Sequence, residues 1–324
     1  MIGGGERFGV LLMTYGSPSS LNDVARYLTS VRGGREPSEE LVTEFRRRYE
    51  VIGGSPLIEI TQAQAAVLES RLDGLALVRA GMRFSAPSIA DALRDLVDAR
   101  IERVVAIVMS PQYSELLMGG YRRTIDAALA ELHRPPSVEL AGAWHLEGDF
   151  IAALAGRIDQ ALMRFPAGGR DGVPVLLTAH SLPRRVAEQE PEYIAQLQAT
   201  ASAVAERAGL AAQWWRFCWQ SAGHEPGEWM KPDFADLIPE LARDGHHSVL
   251  VAPIQFLADH LEILYDIDVA AREQAAAVGL EFARIESLNV DERFIAALAN
   301  VALRELTGVG EEELELDRAV IGDR

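Results

Sequence analysis

The stretch Asp259-His260-Leu261-Glu262-Ile263-Leu264-Tyr265-Asp266-Ile267-Asp268 holds the densest set of groups able to do chemistry in this chain. Glu262 and Asp266 are four residues apart, so a helix through this stretch sets both carboxylates on one face. Two carboxylates placed that way repel unless solvated or bridged by a cation, which makes an oxygen site for a divalent metal one reading. The competing reading, an acidic first turn stabilised by the helix dipole, is the one the segment alone favours. His180 is the second candidate: it leaves the mostly apolar run 173–178 and precedes Leu182-Pro183. A histidine at that position serves either as a metal ligand or proton acceptor near neutral pH, or as a hydrogen-bonded structural residue. Tyr15 ends the first apolar run within Thr14-Tyr15-Gly16-Ser17-Pro18. A cluster of another kind comprises Arg32, Arg46, Arg47, Arg48 and Tyr49, followed by Gly53-Gly54-Ser55-Pro56. Arginines beside hydroxyl side chains hold the carboxylates of an organic acid through forked hydrogen bonds. An exposed helix face accounts for Arg46 and Arg47 equally well.

The elements that must position these groups alternate regularly. Short apolar runs at 8–15, 75–84, 104–110, 138–144, 173–180, 215–220, 249–256 and 280–287 read as strands. Amphipathic segments at 39–49, 61–72, 89–99, 121–133, 150–165, 192–208, 234–244 and 294–306 read as helices. Strand alternating with helix predicts an α/β fold with parallel sheets, and the continuously apolar strands predict sheets covered on both faces. Strand ends repeat between the halves: Pro111-Gln112-Tyr113 answers Pro253-Ile254-Gln255-Phe256. The expected architecture is therefore two similar Rossmann-like domains, 1–147 and 148–324, each with a four-stranded parallel sheet. In such sheets ligands collect beyond the carboxyl ends of the strands. That places Tyr15, His180, His260 and Glu262 at one cleft if the domains face each other. His246 and His247 precede a strand and fall at the wrong end of the sheet, while His133, His145 and His224 lie in or near loops. The tail from Gly308 onward, acidic between Glu311 and Glu315, reads as a solvated extension.

Bulk properties remove several function classes. A net charge of −17 argues against a nucleic-acid backbone or an anionic membrane as main partner. The single cysteine, Cys218, excludes an internal disulfide or an iron–sulfur cluster ligated by this chain alone, and fits a reducing cytosol. No apolar run approaches the roughly 20 residues of a membrane helix. The glycine pairs lack the strand–turn–helix setting of a nucleotide loop, and there is no G-x-S-x-G elbow.

Six motifs taken together resemble the ferrochelatase family: Tyr15-Gly16-Ser17-Pro18; Arg48-Tyr49 with Gly53-Gly54-Ser55-Pro56-Leu57; Ser110-Pro111-Gln112-Tyr113-Ser114; Ala179-His180-Ser181-Leu182-Pro183; Trp219-Gln220-Ser221-Ala222-Gly223; and Phe256-Leu257-Ala258-Asp259-His260-Leu261-Glu262. They fall in the family's order over residues 8–306. The resemblance implies a porphyrin cleft between the domains, ferrous iron as the inserted metal, and His180 and Glu262 as the facing catalytic pair that meets it. It is closest to the coproporphyrin III branch of Gram-positive-type bacteria, in which a tyrosine at the position of Tyr15 binds product iron axially. By the same matching Arg32, Arg48, Tyr49, Ser55 and Tyr121 line the macrocycle or hold its propionates. Two departures stand out. The glycine pair runs directly into Ser55, one residue shorter than in some relatives. Position 270 is alanine, where the outer acidic site of some members needs a carboxylate. The resemblance implies a cytoplasmic monomer in haem biosynthesis, with porphyrin and Fe(II) as substrates and no cofactor required. A protoporphyrin IX chelatase is the alternative on the same fold, as is a cobalt or nickel chelatase. A non-catalytic tetrapyrrole or metal carrier is the alternative from another class, and such a carrier has no need of a proton-handling pair.

Overall fold

The computed structural model describes residues 7–165, 172–223 and 227–307; His224 and the acidic tail lie outside the described residues. Among the described residues the strands are β1 (Phe8–Thr14), β2 (Ala76–Met82), β3 (Arg103–Val108), β4 (Ser137–Leu140), β5 (Val175–His180), β6 (Trp215–Gln220), β7 (Ser248–Pro253) and β8 (Glu281–Arg284). They form two four-stranded sheets, in the orders β2-β1-β3-β4 and β6-β5-β7-β8, with every pairing parallel. Adding four to each number of the first order gives the second, so the halves repeat one topology. β1 is buried at all seven positions, because helices cover both faces of the sheet and leave no polar side to its central strand.

One apolar core runs through both halves. Val10 and Leu12 of the first sheet and Leu177, Leu250 and Ala252 of the second join it through Phe150, Leu154 and Ile158 of the helix Gly148–Leu162. The helix Glu292–Thr307 adds Phe294, Leu298 and Val301, and packs on Leu57–Arg71 from the first half as well as on Gly148–Leu162. Among the described residues no helix is long and apolar enough to cross a membrane.

Each sheet changes winding direction beside its first strand, between β1 and β3 and between β5 and β7. Loops leaving neighbouring strands at such a point diverge and open a crevice. The loops at these two switch points carry Tyr15, Ser110, His180, Gln255, Phe256, His260 and Glu262, and all of these residues border one cavity.

Several local expectations need correction. The helix expected at 121–133 runs from Glu115 to Ala130, capped by the Ser114 hydroxyl, which accepts from Leu117 N at 3.2 Å, and Gly119-Gly120 lie inside it. β4 stops at Leu140, short of the expected 144. The helix Val24–Val31 was not expected. The segment after His260 is not one regular helix: a short turn, Leu261–Leu264, gives way to a π-helical turn, Asp266–Ala271. Ala270 N donates to Tyr265 O at 2.9 Å, the i to i−5 spacing of that turn, and such insertions concentrate at functional sites.

Candidate active site

The shared cavity has a volume of about 490 Å³, within the usual range for small-molecule sites. Its walls are largely apolar, from Leu28, Phe45, Leu57, Met118 and Phe256 among others, and a few polar groups converge on them.

His180 ends β5. Its backbone N–H donates to Gln255 Oε1 at 2.7 Å, and Gln255 Nε2 in turn donates to the Tyr193 hydroxyl at 2.6 Å. The Nδ1 atom lies 2.5 Å from the Ser181 carbonyl. A carbonyl only accepts, so Nδ1 carries a proton and Nε2 is the ring nitrogen left to face the cavity. Nε2 sits 3.6 Å from Glu262 Oε2. His260 is arranged in the same way: Nδ1 faces the Ala258 carbonyl at 3.0 Å and Nε2 lies 3.8 Å from the same carboxylate oxygen. Two imidazole nitrogens thus converge on one carboxylate oxygen, and a proton held between imidazole and carboxylate stabilises the group. Burial pushes the Glu262 carboxyl up, but His180 and His260 outweigh it and hold it at about 2, so Glu262 is an anion throughout the physiological range. Burial pulls His260 down, while the Glu262 carboxylate and the Ala258 carbonyl raise it above the ordinary imidazole value.

The Glu262 turn is anchored from below. Buried Gln220, at the end of β6, donates through Nε2 to the Glu262 carbonyl at 3.2 Å and accepts from the Thr178 hydroxyl at 2.5 Å. Ser221 holds a left-handed backbone, φ 58°, and its hydroxyl donates to Asp266 Oδ2 at 2.5 Å. Asp266 Oδ1 is 3.6 Å from Arg48 Nη1. Asp266 is thus engaged by Ser221 and Arg48. Among the described residues no group of three or more His, Cys, Asp or Glu side chains is set to hold a metal ion. A pair such as His180 and Glu262 leaves most of a metal's coordination sphere to another ligand, which suits an ion in transit better than one in residence.

Tyr15 lines the same cavity from the end of β1 and is 48% exposed. Its ring stacks on Phe84 at 5.2 Å and on Tyr121 at 5.9 Å. The Arg83 guanidinium lies over all three rings, 5.8, 4.6 and 5.5 Å from the centroids of Tyr15, Phe84 and Tyr121. Burial raises the Tyr15 phenol above its ordinary value, Arg83 opposes this, and Glu262 adds to it. Two glycines make the arrangement possible. A side chain at Gly16, where φ is 85°, would overlap Ser85; one at Gly120 would overlap the Arg83 guanidinium.

Of the residues expected at the site, Tyr15, Tyr49, Ser55, Tyr121, His180 and Glu262 all border the cavity. Arg32 and Arg48 do not. Arg32 closes the helix Val24–Val31, with its Nε buried and unbonded. Arg48 is drawn aside by Glu44, 2.8 Å from its Nε, by Asp266 and by the Tyr265 ring, 5.1 Å from its guanidinium. Arg83 was not expected; nothing in its sequence neighbourhood separates it from a surface arginine. Gln255 carried a signal, the repeated proline–glutamine pattern after β3 and β7.

A family model described as Ferrochelatase matches residues 7–306. The chain is 40% identical over 305 residues to a protein named Ferrochelatase from Deinococcus radiodurans, covering 93% of this chain and 96% of that one. It is 35% identical over 311 residues to a Coproporphyrin III ferrochelatase of Geobacillus thermodenitrificans, covering 94% and 98%. Among solved structures, SirB from Bacillus subtilis with Fe3+ is similar with a TM-score of 0.61 at 9% identity, over 93% of this chain and 96% of that chain. That likeness shows the fold.

Proposed function

We propose, from the premise that this chain belongs to the ferrochelatase family, that it inserts Fe(II) into coproporphyrin III, with His180 and Glu262 meeting the metal and the pyrrole protons. Iron insertion into a porphyrin follows from the family; the choice of porphyrin and the residue roles are our reading. The observation that supports it is Tyr15, half exposed in the same cavity as the His180–Glu262 pair. A phenol there would supply an oxygen ligand to iron already in the ring, and the named relatives include Coproporphyrin III ferrochelatases as well as proteins named simply Ferrochelatase.

Insertion breaks two pyrrole N–H bonds, forms bonds from iron to the ring nitrogens, and releases two protons. With Nδ1 committed to Ser181, the unprotonated form of His180 takes the two pyrrole protons on Nε2 one after the other, each passing on to solvent before the next transfer. Glu262, kept anionic by its two imidazole neighbours, contacts the incoming cation and replaces part of its water shell. A flat ring hides its lone pairs, and bending it costs a few kcal/mol, drawn from contacts elsewhere on the substrate. The aromatic wall of Tyr15, Tyr121 and Phe45 and the hydroxyls of Tyr49 and Ser55 supply such contacts. Arg32 and Arg48 reach a propionate only by moving, Arg48 by exchanging Asp266 for the substrate's carboxylate. The same reading takes the enzyme to be a cytoplasmic monomer that needs no resident cofactor.

Anaerobic turnover of Fe(II) with coproporphyrin III and with protoporphyrin IX tests the proposal. The expected result is a kcat/KM at least tenfold higher for coproporphyrin III. Equal values, or a preference for protoporphyrin IX, would remove the substrate claim. Metallation no faster than the uncatalysed background with either porphyrin would favour a carrier.

A further inference from the structure

Arg284 ends β8 and lies outside the cavity, with only 14% of its side chain exposed. All five of its N–H groups are engaged. Nε donates to Asp268 Oδ1 at 2.8 Å, and Nη2 donates to Asp268 Oδ2 at 2.9 Å and to Asp259 Oδ1 at 3.1 Å. Nη1 donates to the Ile285 carbonyl at 2.9 Å and faces Ser287 Oγ at 3.4 Å. One guanidinium thus grips the residue just before His260 and a residue inside the π-helical turn just after Asp266. Asp259 is fixed further by Ser287 Oγ at 2.7 Å and Asn289 Nδ2 at 2.9 Å, and its own N–H donates to Asn289 Oδ1 at 2.9 Å. Between these two pinned ends the backbone carries Glu262, whose carboxylate, among the described residues, meets imidazole nitrogens at 3.6 and 3.8 Å. Contacts that long do not fix a side chain, so the position of Glu262 is inherited from its backbone. Gln220 holds that backbone at one point; Arg284 holds it at both ends.

We propose that Arg284 is a positioning residue for iron insertion: by bridging Asp259 and Asp268 it fixes the turn that presents Glu262 to the metal. The inference rests on Glu262 being the carboxylate that iron meets. Without the guanidinium, Asp259 and Asp268 are two partly buried carboxylates with no cation bridging them, since Arg272 reaches Asp268 alone, at 3.7 Å. They repel and part the ends of the turn. Displacing a reacting group by about 1 Å from a distance can cost 100-fold in rate. Loss of an outer partner of a metal-contacting group costs roughly 10–100-fold in affinity or activity.

The test uses the full chain and the variants Arg284→Met, Arg284→Lys and Asp268→Asn. A lysine keeps the charge but cannot fork to two carboxylates; Asp268→Asn keeps Arg284 in place and removes one grip. The expected result for both arginine variants is a kcat lower by roughly 10–100-fold and a raised KM for Fe(II). Porphyrin affinity, read from fluorescence quenching, should stay within twofold of wild type, because Arg284 does not touch the cavity. Asp268→Asn should move kcat in the same direction by less. Should Arg284→Met fail to fold, the lysine and asparagine variants carry the test. Porphyrin affinity falling in step with kcat would mean general collapse of the site and overturn the proposal. Glu262→Gln separates the layers: wild-type turnover in that variant removes the premise, whereas lost turnover there with full turnover in the other variants removes the positioning role alone.

Discussion

Gly120 lies in the interior of the helix Glu115–Ala130, where replacing glycine with alanine ordinarily gains about 1 kcal/mol. Here the expected sign is reversed. A methyl group at position 120 would occupy the space of the Arg83 guanidinium, which must then leave the rings of Tyr15, Phe84 and Tyr121. Three cation–π contacts at about 0.5–1 kcal/mol each amount to about 1.5–3 kcal/mol lost. Setting the helix gain of about 1 kcal/mol against this leaves Gly120→Ala less stable by about 0.5–2 kcal/mol. Urea unfolding of four proteins tests the origin of the effect: wild type, Gly120→Ala, Arg83→Ala and the double variant. With Arg83 already truncated there is nothing to displace, so adding Gly120→Ala should stabilise by about 1 kcal/mol. If Gly120→Ala destabilises equally in both backgrounds, the guanidinium is not what the glycine accommodates. If it stabilises wild type, the stack contributes less than its geometry implies.

Two further outcomes follow from the turn that carries Glu262. Ser221→Ala keeps the left-handed backbone, φ 58°, and removes the hydroxyl bonded to Asp266, a loss of about 1–3 kcal/mol. Ser221→Gly loses the same bond but relieves about 1 kcal/mol of backbone strain, so it should be the milder change by thermal denaturation; the opposite ranking would contradict the strain argument. For Asp259, burial pushes the carboxyl up, yet Asn289, Ser287 and Arg284 outweigh it and hold it below its ordinary 3.8. A depressed folded-state value favours the ionised form in the fold, so its contribution is complete above that ordinary pKa and lost as pH falls through the folded value. Asp259→Asn should therefore cost about 1–3 kcal/mol at pH 7, with the gap from wild type narrowing only below about pH 4. A gap that closes between pH 7 and 5 would assign the effect to another group.

The sheet architecture was legible because each strand is a short apolar run bounded by turn residues, and both faces of the central strands are buried. That same regularity located the cleft: Tyr15, His180 and the segment after β7 are strand-end residues, and strand ends on the ligand side are where parallel sheets gather their chemistry. What stayed hidden depends on packing between distant segments. The start of the helix Glu115–Ala130 was missed, and the reason for Gly120 inside it, room for Arg83, lies in another element. Arg48 carries its partner Glu44 one helical turn away, a pairing visible in sequence, but its second partner, Asp266, comes from the other half of the molecule. The π-helical turn could not be read from spacing, since Glu262 and Asp266 have the separation of an ordinary helical face. Arg284 resembles any arginine at a strand end until its two aspartates are seen on either side of Glu262.

The most direct measurement of the central claim is single-turnover insertion of Fe(II) by His180→Ala, with porphyrin affinity determined on the same preparation. With Nε2 gone, the pyrrole protons lose their acceptor at the carboxylate. Insertion should slow by roughly 100-fold or more, while porphyrin binding, which rests on the cavity walls, stays within threefold of wild type. Insertion at the wild-type rate in that variant would contradict the assignment of the His180–Glu262 pair.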